Sequence, residues 1–276
     1  MAFKMKPKSD DNLSVYGMLP YFSQELCSYT GQIHIYDCLE STNETAKEMT
    51  RSGAGKHGAV IVADHQTAGK GRYGKTFYSP PNHGLYVSFI LDPVQLGFST
   101  PTLVTAFAAV SVCEAIEAVS DKSPQIKWVN DIFLDGRKIC GILTESVTSA
   151  GNDNSQWLIL GIGVNFNTPL SEFPEEIRHA AGSLFVTENP PITRNQLAAE
   201  IINRIVSSYN QCGECNMLEK YRSRMFLLGE TVSVTGTEEA YDAIAIDIDD
   251  IGRLIVKKEN GEFISLSAGE VSLHLP

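Results

Sequence analysis

The sequence predicts an α+β fold with a small β-barrel added at its C-terminal end. Two observations carry that expectation. Between residues 31 and 227, apolar runs of strand length are interleaved with helical stretches. From Gly229 the texture changes to five short strand-like runs, at 231–235, 241–247, 253–258, 262–266 and 271–273. Turns at Gly236, 249–252, Asn260-Gly261 and Ala268-Gly269 part them. So many short strands in so few residues favour a small barrel.

The chain has 276 residues, enough to bury a sizeable core without disulfides or structural metals. A formal net charge of −11 and the absence of a long basic run argue against binding a nucleic-acid backbone through overall charge. The basic residues that do cluster, at 70–75 and 127–138, point instead to a local anion site. Six cysteines follow no disulfide framework. Cys113 and Cys140 lie in apolar surroundings, and Cys212-Gly-Glu-Cys215 is a lone C-x-x-C without the partners a zinc site needs. The lysine-rich start is not followed by the apolar core of a signal peptide. No apolar run is expected to reach the about 18 residues of a membrane span, and the cytoplasm is the expected compartment.

Residues 1–30 are weakly patterned and too short for an independent helix-turn-helix domain, with a short docking helix marked by Leu13, Met18, Leu19, Phe22 and Leu26. Residues 32–36 alternate as a strand. Ser41-Thr42-Asn43-Glu44 spells a capping box, in which the serine oxygen takes the third helical N–H and the glutamate reaches back. A helix through Arg51 follows, ended by Gly53 and Gly55. The run 58–64 is a buried strand leading into a glycine-rich loop, and 85–91 is a second strand. Residues 102–119, rich in Ala, Val and Phe, predict a central helix.

Runs 125–128, 130–134 and 137–147 read as strands, with Asp135-Gly136 as the primed turn of a hairpin. The strand at 156–166 carries Gly161 and Gly163, where a ligand or another backbone comes close. Residues 167–189, with Pro169 and Pro174, form a long irregular loop suited to covering a site. An amphipathic helix at 193–211, capped by Thr193, and a shorter one at 214–225 complete this part.

The loop from Asp64 to Pro80 carries the first chemistry. Gly69, Gly71 and Gly74 alternate with Lys70, Arg72 and Lys75. Glycines let backbone N–H groups approach an anion, and the cations neutralise it. The spelling G-x-G-x-x-G invites a dinucleotide fold, but that fold needs a helix directly after the glycines. Here Pro80 and Pro81 follow too soon for one. No Walker A spelling occurs either. The bland alternative is a solvated loop with incidental lysines.

Lys127-Trp-Val-Asn-Asp131 places a cation, an amide and a carboxylate at a strand end. Lys127 could hold phosphate and Asp131 a metal, or Asn130 and Asp131 could simply shape the turn. In 137–145, Lys138 and Cys140 alternate with Arg137 and Ile139, so Lys138 could enter the site while Gly141 leaves room for a ligand. Gly161-Ile-Gly-Val-Asn165 ends in an amide.

Together these segments resemble the biotin protein ligases. That family shows S-T-N, then G-R-G-R-x-G with an aromatic and Ser-Pro, then K-W-P-N-D, K-x-x-G-I-L-x-E and G-x-G-x-N. The chain reads Ser41-Thr42-Asn43, Gly69 to Gly74 with Phe77 and Ser79-Pro80, Lys127 to Asp131, Lys138 to Glu145, and Gly161 to Asn165, in that order. Departures are Lys70 and Tyr73 for arginines, Phe77 for tryptophan and Val129 for proline.

The resemblance implies a mixed-sheet catalytic domain of the biotin/lipoate ligase type at 31–227, an SH3-like barrel at 228–276, and a tail or linker at 1–30. It implies that biotin and ATP give biotinyl-5′-AMP, and that a lysine of a biotin carboxyl carrier protein then takes the biotinyl group. By resemblance, Arg72 and Lys138 are catalytic. Ser41, Thr42, Asn43, Gln66, Gly69, Lys70, Gly71, Arg72, Lys138 and Gly141 bind biotin, while Arg72, Lys75, Phe77, Asn130, Asp131 and Asn165 bind the adenylate. Mg²⁺ accompanies ATP, and Asp131 either holds metal or orients the acceptor lysine. A homodimer is possible within the family, and DNA binding is not expected of this chain. Two alternatives are a lipoate or octanoate ligase or transferase of the related fold, and the catalytic part of a ligase/repressor.

Overall fold

A computed structural model describes residues 11–97, 100–149, 155–187, 189–208, 214–236, 240–267 and 269–273. In chain order the elements are α1 (Val15–Met18), β1 (Ile33–Leu39), α2 (Thr42–Arg51), β2 (Val60–Gln66), β3 (Gly84–Leu91), α3 (Pro93–Leu96) and α4 (Pro101–Val119). There follow β4 (Gln125–Lys127), β5 (Asp131–Leu134), β6 (Arg137–Thr148), β7 (Gln156–Asn165), α5 (Glu175–Arg178), α6 (Arg194–Ser208) and α7 (Glu214–Arg224). The chain ends with β8 (Thr231–Thr235), β9 (Tyr241–Ile248), β10 (Leu254–Lys258), β11 (Phe263–Leu266) and β12 (Glu270–Leu273).

The first seven strands form one sheet in the order β1-β2-β3-β7-β6-β5-β4. The β1–β2 pair is parallel and the other pairs are antiparallel, so the sheet is mixed as expected. Asp135 and Gly136 both have positive φ, 50° and 74°, which is the primed turn expected between β5 and β6.

Side chains alternate across a strand, and here the alternation separates core from site. Leu158, Leu160, Ile162 and Val164 of β7 face the main core, as do Leu85, Val87, Phe89 and Leu91 of β3. That core is filled by α4, whose nineteen residues are apolar nearly all round. By length and composition α4 could cross a membrane, contrary to the expectation that no run would be long enough, but it is buried under α6 and α7 against β5, β6 and β7. The intervening residues of β3, β6 and β7 face α2 on the other side of the sheet, where a small cluster of Ala46, Ala59, Ile61, Ile90, Val147 and Ile159 packs.

The five C-terminal strands form a second, antiparallel sheet in the order β11-β10-β9-β8-β12, the barrel-like unit expected. Its inward residues, among them Val232, Val234, Ala245, Leu254 and Val256, join the same core as the large sheet. The N-terminal segment is strapped to α6: Arg194, 1% exposed, pairs with Asp11 and Asp64, and Asn195 bonds the backbone at Asn12 and Ser14. Cys212 and the side chain of Cys215 lie outside the described residues.

Candidate active site

Glycines carve the site out of the α2 face of the sheet. Gly141 of β6 is paired with Gly163 of β7, and Gly163 with Tyr86 of β3. The next row is Leu143, Gly161 and Ser88. With no side chains at three of these six positions, the floor is open for about the width of a ring. A cavity of about 310 Å³ lies over it, a volume in the range of small-molecule sites.

What first fills the space beside the glycines is protein. A Cβ at Gly161 would lie 2.2 Å from Asn43 Oδ1, and one at Gly163 would lie 2.6 Å from the Phe77 ring. Gly141 also faces Phe77, at 3.1 Å, and Lys138 Cε, at 3.3 Å. The glycines thus seat Asn43 and Phe77 against the sheet, and these side chains form the wall that a ligand meets.

Lys138 and Gly141 share the cavity although they are three positions apart, a spacing that a regular strand would put on opposite faces. The β5–β6 ladder shifts register here: Ile132 faces Cys140, and Phe133 faces Lys138. Ile139 is the extra, bulged residue. The simple alternation that grouped Lys138 with Cys140 is therefore broken, with Cys140 in the core and Lys138 in the site. Burial holds the Cys140 thiol in its neutral form, its pKa well above the ordinary value, so it is no nucleophile.

Beside the cavity the polar groups form a continuous chain. Gln66 Oε1 accepts from Thr42 N at 2.9 Å and from Thr42 Oγ1 at 3.2 Å, and its Nε2 donates to Ser79 Oγ at 2.9 Å. Ser88 Oγ lies 2.8 Å from Thr42 Oγ1 and 2.6 Å from Asn43 Oδ1. Asn43 Nδ2 donates to Glu145 Oε2 at 2.8 Å. Glu145 in turn pairs with Lys47 at 2.6 Å, and Lys47 with Glu44 at 2.8 Å. Burial works against the charge on Lys47, but the two carboxylates outweigh it and raise its pKa.

The expected capping box does not form. Ser41 is the N-cap residue of α2 but its side chain makes no capping bond, and the helical N–H of Thr42 is taken by Gln66. Glu44 does not reach back either, since Lys47 and Lys70 hold it. Those two cations, Lys47 first, depress the Glu44 pKa to about 2. Ser41 is left lining the cavity.

The glycine loop is a small hairpin. Gly71 N donates to Lys75 O at 2.7 Å, Lys75 N to Arg72 O at 3.1 Å, and Phe77 N to Gly69 O at 2.9 Å. Those three amides are committed within the loop. Arg72 Nη1 donates to Asn130 Oδ1 at 3.2 Å, and Asn130 Nδ2 donates to Ile142 O at 3.0 Å. Lys138 Nζ sits 2.6 Å from Asp131 Oδ1. Among the described residues no three His, Cys, Asp or Glu side chains converge on a metal position, and Asp131 spends an oxygen on Lys138. That donor set does not fit a metal held by protein alone.

Residues 167–187 wall the remaining side. Lys138 N donates to Ala180 O and Gly182 N to Lys138 O, so this segment docks on the end of β6. Asn165 Nδ2 donates to Gly182 O at 2.9 Å. Phe173, Ile177, Ala180 and Ala181 line the cavity.

Of the residues singled out by sequence, Ser41, Thr42, Asn43, Gln66, Lys70, Gly71, Arg72, Lys75, Phe77, Asn130, Asp131, Lys138, Gly141 and Asn165 all line this one cavity. Gly69 does not. A Cβ there would lie 2.4 Å from Phe77 O and 2.5 Å from Ser79 Oγ, so Gly69 serves close packing at the hairpin base. Lys47 and Ser88 were not singled out, and Glu145 was named only as the last residue of a motif. Lys47 lies one helical turn from Asn43 on α2, while the sheet brings Ser88 of β3 and Glu145 of β6 to it.

A family profile described as the Biotin/lipoate A/B protein ligase family matches residues 35–165, and one described as the Biotin protein ligase C terminal domain matches 227–274. The biotin--[acetyl-CoA-carboxylase] ligase of Mycobacterium tuberculosis is 30% identical over 252 residues, 88% of this chain and 89% of that one. The chain belongs to the biotin protein ligases. Other members include the bifunctional ligase/repressor BirA of Bacillus subtilis, 34% identical over 84% of this chain and 71% of that protein. Among solved structures, the biotin protein ligase from Aquifex aeolicus in complex with biotin and ATP superposes with a TM-score of 0.73 at 30% identity, covering 88% of this chain and 98% of that one.

Proposed function

We propose that this protein is an ATP-dependent biotin protein ligase that makes biotinyl-5′-AMP and passes the biotinyl group to a carrier lysine. One observation carries the reading: one glycine-floored cavity is lined both by the uncharged hydrogen-bonding side chains of Thr42, Asn43 and Gln66 and by the cations Arg72 and Lys138. A molecule with an uncharged polar ring and a carboxylate tail fits that polarity.

In this reading Ser41, Thr42, Asn43 and Gln66 hold the ureido ring, and Phe77 lies beside the alkyl chain and the adenylate. Lys70, Gly71 and Gly141 border the acid, while Lys75, Asn130, Asp131 and Asn165 border the nucleotide. In the first step a carboxylate oxygen of biotin attacks the α-phosphorus of ATP, and the bond to pyrophosphate breaks. Both partners are anions, so Arg72 and Lys138 lower the barrier by facing the phosphorus where charge gathers. Mg²⁺ enters as part of the nucleotide substrate, carried on its phosphates.

In the second step the uncharged amine of the carrier lysine attacks the acyl carbon. The bond to AMP breaks, AMP leaves with the electron pair, and the amine loses its extra proton. The mixed anhydride is already reactive, so the protein mainly orients the amine and keeps water away. In this reading Asp131 receives the incoming lysine, and the wall at 167–187 shields the anhydride.

The division into a tail at 1–30, a catalytic unit at 31–227 and an SH3-like unit at 228–276 belongs to the same reading. So do a biotin carboxyl carrier protein as acceptor and the cytoplasm as compartment. The test is formation of acyl-AMP from labelled ATP with biotin, set against lipoate.

A further inference from the structure

The C-terminal unit lines the candidate active site with Gly269, Val271 and Ser272, and two hydrogen bonds to its backbone adjoin one pair of site side chains. Gly269 N donates to Tyr73 Oη at 2.9 Å, one residue from Arg72. Trp128 Nε1 donates to Gly252 O at 3.0 Å, two residues from Asn130. Arg72 and Asn130 meet between these anchors, at 3.2 Å.

Tyr73 is the sharper of the two contacts. It stands at the tip of the glycine hairpin with φ 55° and ψ 34°, in the left-handed region that a tyrosine rarely adopts. Tyr73 is 59% exposed, so burial does not hold it there. Its polar and ring contacts do. Arg72 Nη2 donates to Tyr73 Oη at 2.9 Å, and the guanidinium carbon lies 4.8 Å from the ring centroid. The phenol oxygen thus accepts from Arg72 and from the C-terminal backbone at once. Without that bracket, the arginine of a glycine-flanked hairpin tip would sample many rotamers.

We propose that Tyr73 is a positioning residue for adenylation. It couples the C-terminal unit to Arg72 and holds the guanidinium at Asn130, on the side where the α-phosphate would lie. This rests on the function proposed above. Tyr73 touches no reacting atom, and its effect passes through Arg72.

The experiment is a double-mutant cycle on the whole chain. Tyr73→Phe removes the oxygen but keeps the ring and the backbone conformation. Single-turnover formation of biotinyl-AMP is measured for the wild type, Tyr73→Phe, Arg72→Ala and the double variant, with a thermal melt on each. Loss of a hydrogen bond to a charged group is expected to slow adenylation by about tenfold in Tyr73→Phe, in kcat more than in KM for either substrate. In the Arg72→Ala background the same change is expected to cost less than about twofold, because the residue it acts through is gone. A wild-type rate in Tyr73→Phe overturns the proposal. So does an equal loss in both backgrounds, or a loss tracking the melting temperature, since either means general stability rather than placement of Arg72. If the wild type forms no biotinyl-AMP, it is the functional reading that fails, which the first lane of the assay shows separately.

Discussion

Lys138 Nζ lies 2.6 Å from Asp131 Oδ1, between neighbouring strands β5 and β6. The cation expected at the α-phosphate and the carboxylate expected near metal or amine therefore form one ion pair. Lys138→Ala is expected to keep the fold and slow adenylation by about 10²–10³, the usual cost of removing one preorganised donor. Asp131→Asn leaves Lys138 charged. It is expected to slow transfer to the carrier by about 10² and adenylation by much less, as read from the two half-reactions in single turnover. Equal losses in both steps would mean that Asp131 serves only to hold Lys138.

The Gly163–Phe77 contact gives a steric prediction. A methyl at position 163 would lie 2.6 Å from the Phe77 ring, so Gly163→Ala must push the ring into the cavity. Overpacking of this kind costs about 1–3 kcal/mol, and KM for biotin should rise by about tenfold. Combining it with Phe77→Ala removes the clash, and Gly163→Ala should then cost little in urea denaturation. Additive losses in the double variant would place the clash elsewhere.

Lys47 makes no direct claim on a ligand, yet it joins Glu44 and Glu145 and so holds Asn43 in place. Lys47→Met leaves Glu145 without its cation and Glu44 with Lys70 alone. Stability should fall by about 1–3 kcal/mol in urea denaturation, and KM for biotin should rise while KM for ATP stays within about twofold. A change confined to ATP would contradict the assignment of this end of the cavity.

The sign of the pH effect follows from Glu44, whose pKa is lowered to about 2 chiefly by Lys47 and then by Lys70. A depressed carboxylate adds stability above its unfolded pKa of about 4.3, and that stability is lost as pH falls toward about 2. Glu44→Gln should therefore be less stable than wild type above pH 5, with the two melting curves converging as pH falls from 4.3 to about 2. A constant offset across that window would show that Glu44 is not paired in solution.

Much of this was legible because the site is built from short segments whose residue types carry their own chemistry. The glycine and cation loop, the Asp135-Gly136 turn, and Gly161 and Gly163 each signal locally what the backbone does there. Their convergence on one cavity was implied by the resemblance to the biotin protein ligases. What stayed hidden depends on pairing between distant strands. The bulge at Ile139, which lets Lys138 and Gly141 share a face, arises only in register with β5. Gln66 displaces Ser41 as the cap of α2 because β2 ends beside the helix start, and no local pattern records that. Lys47 and Ser88 are ordinary residues in sequence, and with the motif residue Glu145 they become a network only across three elements. Gly69 shows the reverse: its motif position stands out in sequence, yet its role is packing.

The most direct test of the central claim is acyl-AMP formation. The purified protein is incubated with α-labelled ATP and Mg²⁺ and with biotin, lipoate or no acid, and the adenylate is resolved from AMP. Labelled biotinyl-AMP from the biotin sample, reduced by about 10²–10³ in rate in Arg72→Ala, is the predicted result. Adenylate from lipoate alone, or from neither acid, would contradict the account.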